Sequence, residues 1–178
     1  MNDADQIIAE IDDLEDIFLQ AKSFFPAISN ELIGKRSFPT PGYYRDRGYK
    51  VYIQTGKPIT QKFINKYLRV GKWLNENVII RPYGIMYYHK LLNKIDPMII
   101  GWKEVDIMRR MRDAFTKTRL NYQPNDPKNI RLRQEVIIYF RLSETQFSEG
   151  EIPTPIYKVI HPIFEGCRNY VRRKKGNA

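Results

Sequence analysis

Between residues 7 and 21 the apolar side chains Ile7, Ile11, Leu14, Phe18 and Ala21 recur in steps of four and three. That period places them on one stripe of an α-helix, widened by Ile8, Ile17 and Phe25. Asp3 or Asp5 can cap its start, where acids also suit the positive end of the helix dipole. Pro26 stops it. The stripe lasts about two heptads, too short for an independent coiled coil. It therefore predicts a helix that packs on its own domain or pairs with another subunit.

Further along, the pattern alternates between helical and extended periods. Residues 36–48 hold Pro39, Pro41, Gly42 and Gly48 and read as an irregular loop. Tyr49–Ile53 alternates as a strand, and a second helix is expected from about Thr60 to Asn75. Val78-Ile79-Ile80 reads as a short strand ended by Pro82 and Gly84. Residues 85–94 fit either period. A third helix is expected over Glu104–Lys117, and Asn121–Asn129, with its prolines and asparagines, reads as a loop. Glu135–Leu142 alternates most cleanly of all, with Val136, Ile138, Phe140 and Leu142 on one side. A polar loop over Ser143–Pro155 leads to a short strand at Tyr157–Ile160. Pro162 then sits in the first turn of a last helix. Helices and strands intermix without repeats, which predicts an α+β fold: a small mixed sheet with about four helices. One domain over 1–178 is expected, built of an acidic helix (1–25), a basic body (26–170) and a basic tail (171–178).

Charge is distributed very unevenly along this pattern. Residues 1–16 hold seven acids and no Lys or Arg. All 30 basic residues lie beyond them beside the remaining 13 acids, so the rest of the chain carries +17. Such a body seeks polyanions or acidic surfaces. The single cysteine, Cys167, allows no intramolecular disulfide. No apolar run approaches the roughly 20 residues of a membrane-spanning helix. The acidic start lacks the basic, then apolar, pattern of a secretory signal, so a cytoplasmic protein is expected.

Residue types that carry catalysis are scarce. The chain contains no phosphate-binding Gly-x-x-x-x-Gly-Lys-Ser/Thr, no Gly-x-Gly-x-x-Gly, no His-Glu-x-x-His and no Gly-x-Ser-x-Gly. One cysteine and two histidines, His89 and His161, are too few for a typical structural zinc site, and no cofactor is expected. A Cys167–His161 nucleophile pair needs the two on one face, which a spacing of six and the intervening Pro162 disfavour. A metal-dependent nuclease would need converging carboxylates, for which Asp96, Glu104, Asp106 and Glu135, with Lys103 nearby, are the candidates. Yet Asp106 stands three and four residues before Arg109 and Arg110, the spacing of ordinary helix ion pairs.

Three basic clusters remain as candidate surfaces. On the second helix Lys62, Lys66 and Arg69 step by four and three along one edge. Trp73 shares that edge, with Lys72 near it, and Ile59, Phe63, Ile64, Tyr67, Leu68, Val70 and Leu74 span the broad apolar face. The plain interpretation is a solvated charged face with Trp73 bordering the core. The functional one is a partner-binding stripe, for phosphates with a stacked base or for an acidic protein surface. Tyr44, Arg45 and Arg47 interleave aromatics with cations in a second patch. Arg168, Arg172 and Arg173, followed by Lys174 and Lys175, form the third.

With no catalytic set, an apolar acidic helix and long Pro-rich loops, the expected function is non-enzymatic. The chain reads as a component of a large assembly, of the kind found in virion or phage connectors, tails or baseplates. Its partners would be protein subunits, its own copies or others, with no membrane involved. A non-specific DNA- or RNA-binding protein is the alternative, and a metal-dependent nuclease the third.

Overall fold

A computed structural model describes residues 3–23, 30–39, 52–116, 124–144, 147 and 150–176. Among these residues are five α-helices, α1 (Asp3–Ser23), α2 (Gln61–Tyr88), α3 (Trp102–Thr116), α4 (Pro127–Tyr139) and α5 (His161–Lys175). A single two-stranded antiparallel sheet joins β1 (Ser37–Pro39) to β2 (Tyr52–Gln54), in the register Ser37–Gln54, Phe38–Ile53 and Pro39–Tyr52. The fold is therefore mostly helical, and the expectation of an α+β mixed sheet is overturned.

Three expected strands are helical instead, each for a local reason. Val78-Ile79-Ile80 lies inside α2, which runs for 28 residues straight through Pro82. Val78, Ile79, Pro82 and Met86 are all buried, a spacing of three and four that continues the helical stripe. Glu135–Leu142 falls mostly within α4, whose start is set by Asp126 and Pro127. The Asp126 carboxylate caps the helix by accepting from Lys128 N–H at 2.8 Å, and Pro127 takes the first turn, where its missing N–H costs nothing. The Asp-Pro pair that reads as a loop is thus a helix start. Tyr157–Ile160 belongs to a widened π-type turn, Ile156–Ile160, that feeds directly into α5. Val159, Ile160, Ile163, Phe164, Cys167, Tyr170 and Val171 form one continuous buried stripe across that join.

The helix ends explain two further apolar residues. Beyond α2 the chain turns at Lys90 (φ 59°), and Leu91 N–H donates back to Met86 C=O at 2.9 Å. Beyond α4 Arg141 (φ 52°) does the same, with Leu142 N–H donating to Ile137 C=O at 2.9 Å. Both are left-handed helix stops anchored by a buried leucine. The ambiguous segment 85–94 is helical to Tyr88 and then turns. Ser37–Pro39, expected as loop, is a strand, and of the strand expected over Tyr49–Ile53 only Tyr52 and Ile53 fall among the described residues.

The chain divides into two compact units, 1–15 with 75–178, and 16–74. In the larger unit α3 and α5 pack most closely. Gly101 (φ 91°) and Gly166 allow this: a Cβ on Gly101 would overlap the Gly166 carbonyl, and one on Gly166 would overlap the Glu104 side chain. Val105, Ile107, Met108 and Met111 of α3 are buried in this unit, as are Ile163, Phe164, Cys167 and Tyr170 of α5 and Ile7 and Ile11 of α1. In the smaller unit Phe38, Ile59 and Ile64 form the core, with Leu32, Ile53, Phe63 and Tyr67 packed around them. There Lys22 Nζ donates to Gly71 C=O at 3.5 Å, tying the end of α1 to α2.

Candidate binding surfaces

The orientation of α2 in the smaller unit follows from its aromatic side. Thr60 Oγ1 caps the helix by accepting from Phe63 N–H at 3.2 Å. One turn on, Phe63 and Tyr67 stack with centroids 5.7 Å apart, and both rings meet Phe38. Burial pushes the Tyr67 phenol pKa up. With that side fixed inward, Lys62, Lys66 and Arg69 point to solvent. None of the three has an ion-pair or hydrogen-bond partner among the described residues. Trp73, on the same edge, is 58% exposed. Lys72 is half-buried. The helix thus holds three cations and an indole on one accessible stripe.

The C-terminal basic cluster has a different environment. Arg168 Nη1 donates to Asp12 at 3.1 Å and to Glu15 at 2.7 Å, both on α1. Glu15 is 7% exposed, and its other oxygen lies 2.6 Å from His161 Nδ1. Lys175 donates to Asp3 at 2.6 Å, and the ammonium holds the Asp3 carboxyl below its usual range. His89 lies 3.5 Å from Glu10 and 4.0 Å from Asp3. Lys174 turns onto backbone, donating to Lys94 C=O at 2.6 Å and Leu91 C=O at 3.1 Å, and to Tyr170 Oη at 2.9 Å. Of this cluster only Arg172 and Arg173 are exposed. Both histidines of the chain and two of its terminal cations thus face acids of α1. Sequence reasoning docks the acidic helix on a basic surface, of its own body or of a neighbour, without naming α5 as that surface. The signal for it was the concentration of seven acids in 16 residues.

The remaining candidates sort as follows. Tyr44, Arg45 and Arg47 lie outside the described residues. Glu135 accepts from both Lys103 and Arg110, and the Arg110 guanidinium first of all draws its carboxyl pKa down to about 2. Asp106 pairs with Arg109 at 2.7 Å and Arg110 at 3.1 Å. Glu104 accepts from Tyr139 Oη at 2.6 Å, and Asp96 accepts from Met98 N–H at 2.9 Å. The four acids considered for a metal are each bonded to a cation or a donor of the chain, and among the described residues no three of His, Cys, Asp and Glu gather as metal ligands. Cys167 is fully buried, 3.6 Å from Met108 Sδ, and burial pushes its thiol up to about 12, which keeps it from being a thiolate.

A cavity of about 420 Å³ beside α3 and α4 is lined by Arg110, Asp113, Asp126, Lys128, Asn129 and Arg131 among others, a mixture of both signs with no nucleophile. Among the described residues no helix is long and apolar enough to cross a membrane. No family model, curated protein or solved structure matches this chain.

Proposed function

We propose that this protein is a non-enzymatic assembly component that holds a negatively charged partner on the α2 stripe. The observation that supports this reading is the combination of Lys62, Lys66 and Arg69, all exposed without a partner among the described residues, with an indole 58% exposed on the same edge. An indole gains little from water, and a cation stripe alone is an ordinary soluble surface. Together they resemble the centre of an interface, where Trp and Arg concentrate. The binding energy would come from covering Trp73, with the cations setting orientation and rate of encounter.

The same stripe supports a second reading, nucleic-acid binding, because stacking on an exposed aromatic beside phosphate-neutralising cations is how single strands are held. One experiment separates the two: light scattering of the purified protein, and nucleic-acid binding over a salt series, each with wild type and the Lys62→Ala/Lys66→Ala/Arg69→Ala variant. The assembly reading expects a wild-type mass above 21.2 kDa at low salt that the variant loses. Nucleic-acid binding instead expects a log–log salt slope near −2.1 on a single strand, about 0.7 for each of three cations, flattened in the variant. A variant that matches wild type in both measurements removes the stripe from the function.

A further inference from the structure

The acids of α1 are used unequally. Asp3, Glu10, Asp12 and Glu15 meet residues of α5 or His89, just beyond α2, as described above, but Asp13 and Asp16 are exposed and meet no partner among the described residues. Asp13 and Asp16 stand three apart on one face of α1, as Lys66 and Arg69 stand three apart on α2. At 1.5 Å of rise per residue, the two acids and the two cations are spaced equally along their helices, by about 4.5 Å. Both faces also carry an exposed apolar neighbour, Ile17 at 56% on α1 and Trp73 at 58% on α2.

From this match we infer that the partner of the α2 stripe is the outer acidic face of α1 in a second copy of the chain. Laid antiparallel, Arg69 meets Asp13 and Lys66 meets Asp16. The residue four beyond Arg69 is then Trp73, and the residue four before Asp13 is Ala9, exposed and small enough to receive an indole. At the other end Lys62 meets Gln20. The antiparallel arrangement also opposes the two helix dipoles favourably. Two copies that exchange this contact twice form a closed dimer, whereas successive copies form an open chain.

This inference rests on the assembly reading and names its partner, so the test must separate the two. The measurement is light-scattering mass of the full chain at low and high salt, for wild type, Lys66→Glu/Arg69→Glu, Asp13→Lys/Asp16→Arg, and all four changes in one chain. Circular dichroism checks that each variant folds. Wild type should exceed the 21.2 kDa monomer at low salt and approach it at high salt, since exposed pairs are screened beyond about 10 Å at 0.1 M. Each double reversal should weaken association at least tenfold, and the fourfold swap should restore it.

If the cation reversal dissociates the protein while the acid reversal does not, assembly through α2 stands and α1 is not its occupant. A fourfold variant that stays monomeric overturns the inference in the same way. A wild type that is monomeric at every salt concentration overturns both this inference and the assembly reading. Stripe-dependent binding of nucleic acid would then make that polymer the partner.

Discussion

Two helices of this chain, α2 and α5, each carry a cluster of cations, and the clusters differ in what surrounds them. On α5 three of the five cations are spent on the fold, and Arg172 and Arg173 stay exposed. Arg168 and Lys175 hold the acids of α1, and Lys174 fastens the turn at Leu91–Lys94. On α2 Lys62, Lys66 and Arg69 have no partner among the described residues. A basic stretch in a sequence is therefore not one kind of object. Its meaning depends on whether an acid of the same chain reaches it. Here the acids of α1 reach α5, and they cancel locally the charge that the composition reports globally.

The comparison can be broken most forcefully at the contact that holds α5 in place. Gly101→Ala puts a Cβ into the Gly166 carbonyl at a φ of 91° and should cost about 3 kcal/mol or more in urea unfolding. A cost below about 1 kcal/mol would mean that α3 and α5 do not approach as closely as described. Arg168→Ala comes next. It leaves Glu15, 7% exposed, with only His161 beside it and should destabilise the chain by about 3 kcal/mol. An unchanged urea midpoint in that variant would place Arg168 among the free cations instead.

A smaller effect is expected from the third set of paired cations. The Glu135 carboxyl, drawn down to about 2 by Arg110 and Lys103, contributes stability that is full above its ordinary value near 4.5 and is lost as pH falls from there toward 2. Allowing for screening of a partly solvated group, the contribution is about 1–2 kcal/mol. Glu135→Gln should flatten acid unfolding in that window, and an identical acid limb in the two proteins would show that the pairing adds nothing. Smallest of all is the effect on folding of Lys62→Ala/Lys66→Ala/Arg69→Ala, which should leave the urea midpoint in place. A clear drop would show that the α2 cations, too, are structural.

Parts of this were legible beforehand. The N-terminal helix, the third helix, the last helix beginning near Pro162, and the stripe on the second helix all follow from spacing alone, because a period of 3.6 needs no knowledge of what lies opposite. Three of the four expected strands did not survive, for two reasons. Val78-Ile79-Ile80 and Val136-Ile137-Ile138 are short β-branched runs, which satisfy either period, and burial against other elements decides between them. Pro82, Pro127 and Pro162 were weighed as breaks or starts by position in the sequence. Pro82 instead lies within α2, and Pro127 opens α4 behind the Asp126 cap.

The sequence by itself determined the charge asymmetry, the helical period of α1 and the cationic edge of α2, since each depends only on residue type and spacing. Only the tertiary structure decided that Leu91 and Leu142 anchor helix ends, that Glu15 is buried against Arg168 and His161, and that Arg168, Lys174 and Lys175 of α5 are engaged while three of the cations on α2 are not. Those outcomes depend on which surfaces meet, and long-range electrostatic pairing leaves no period in a sequence.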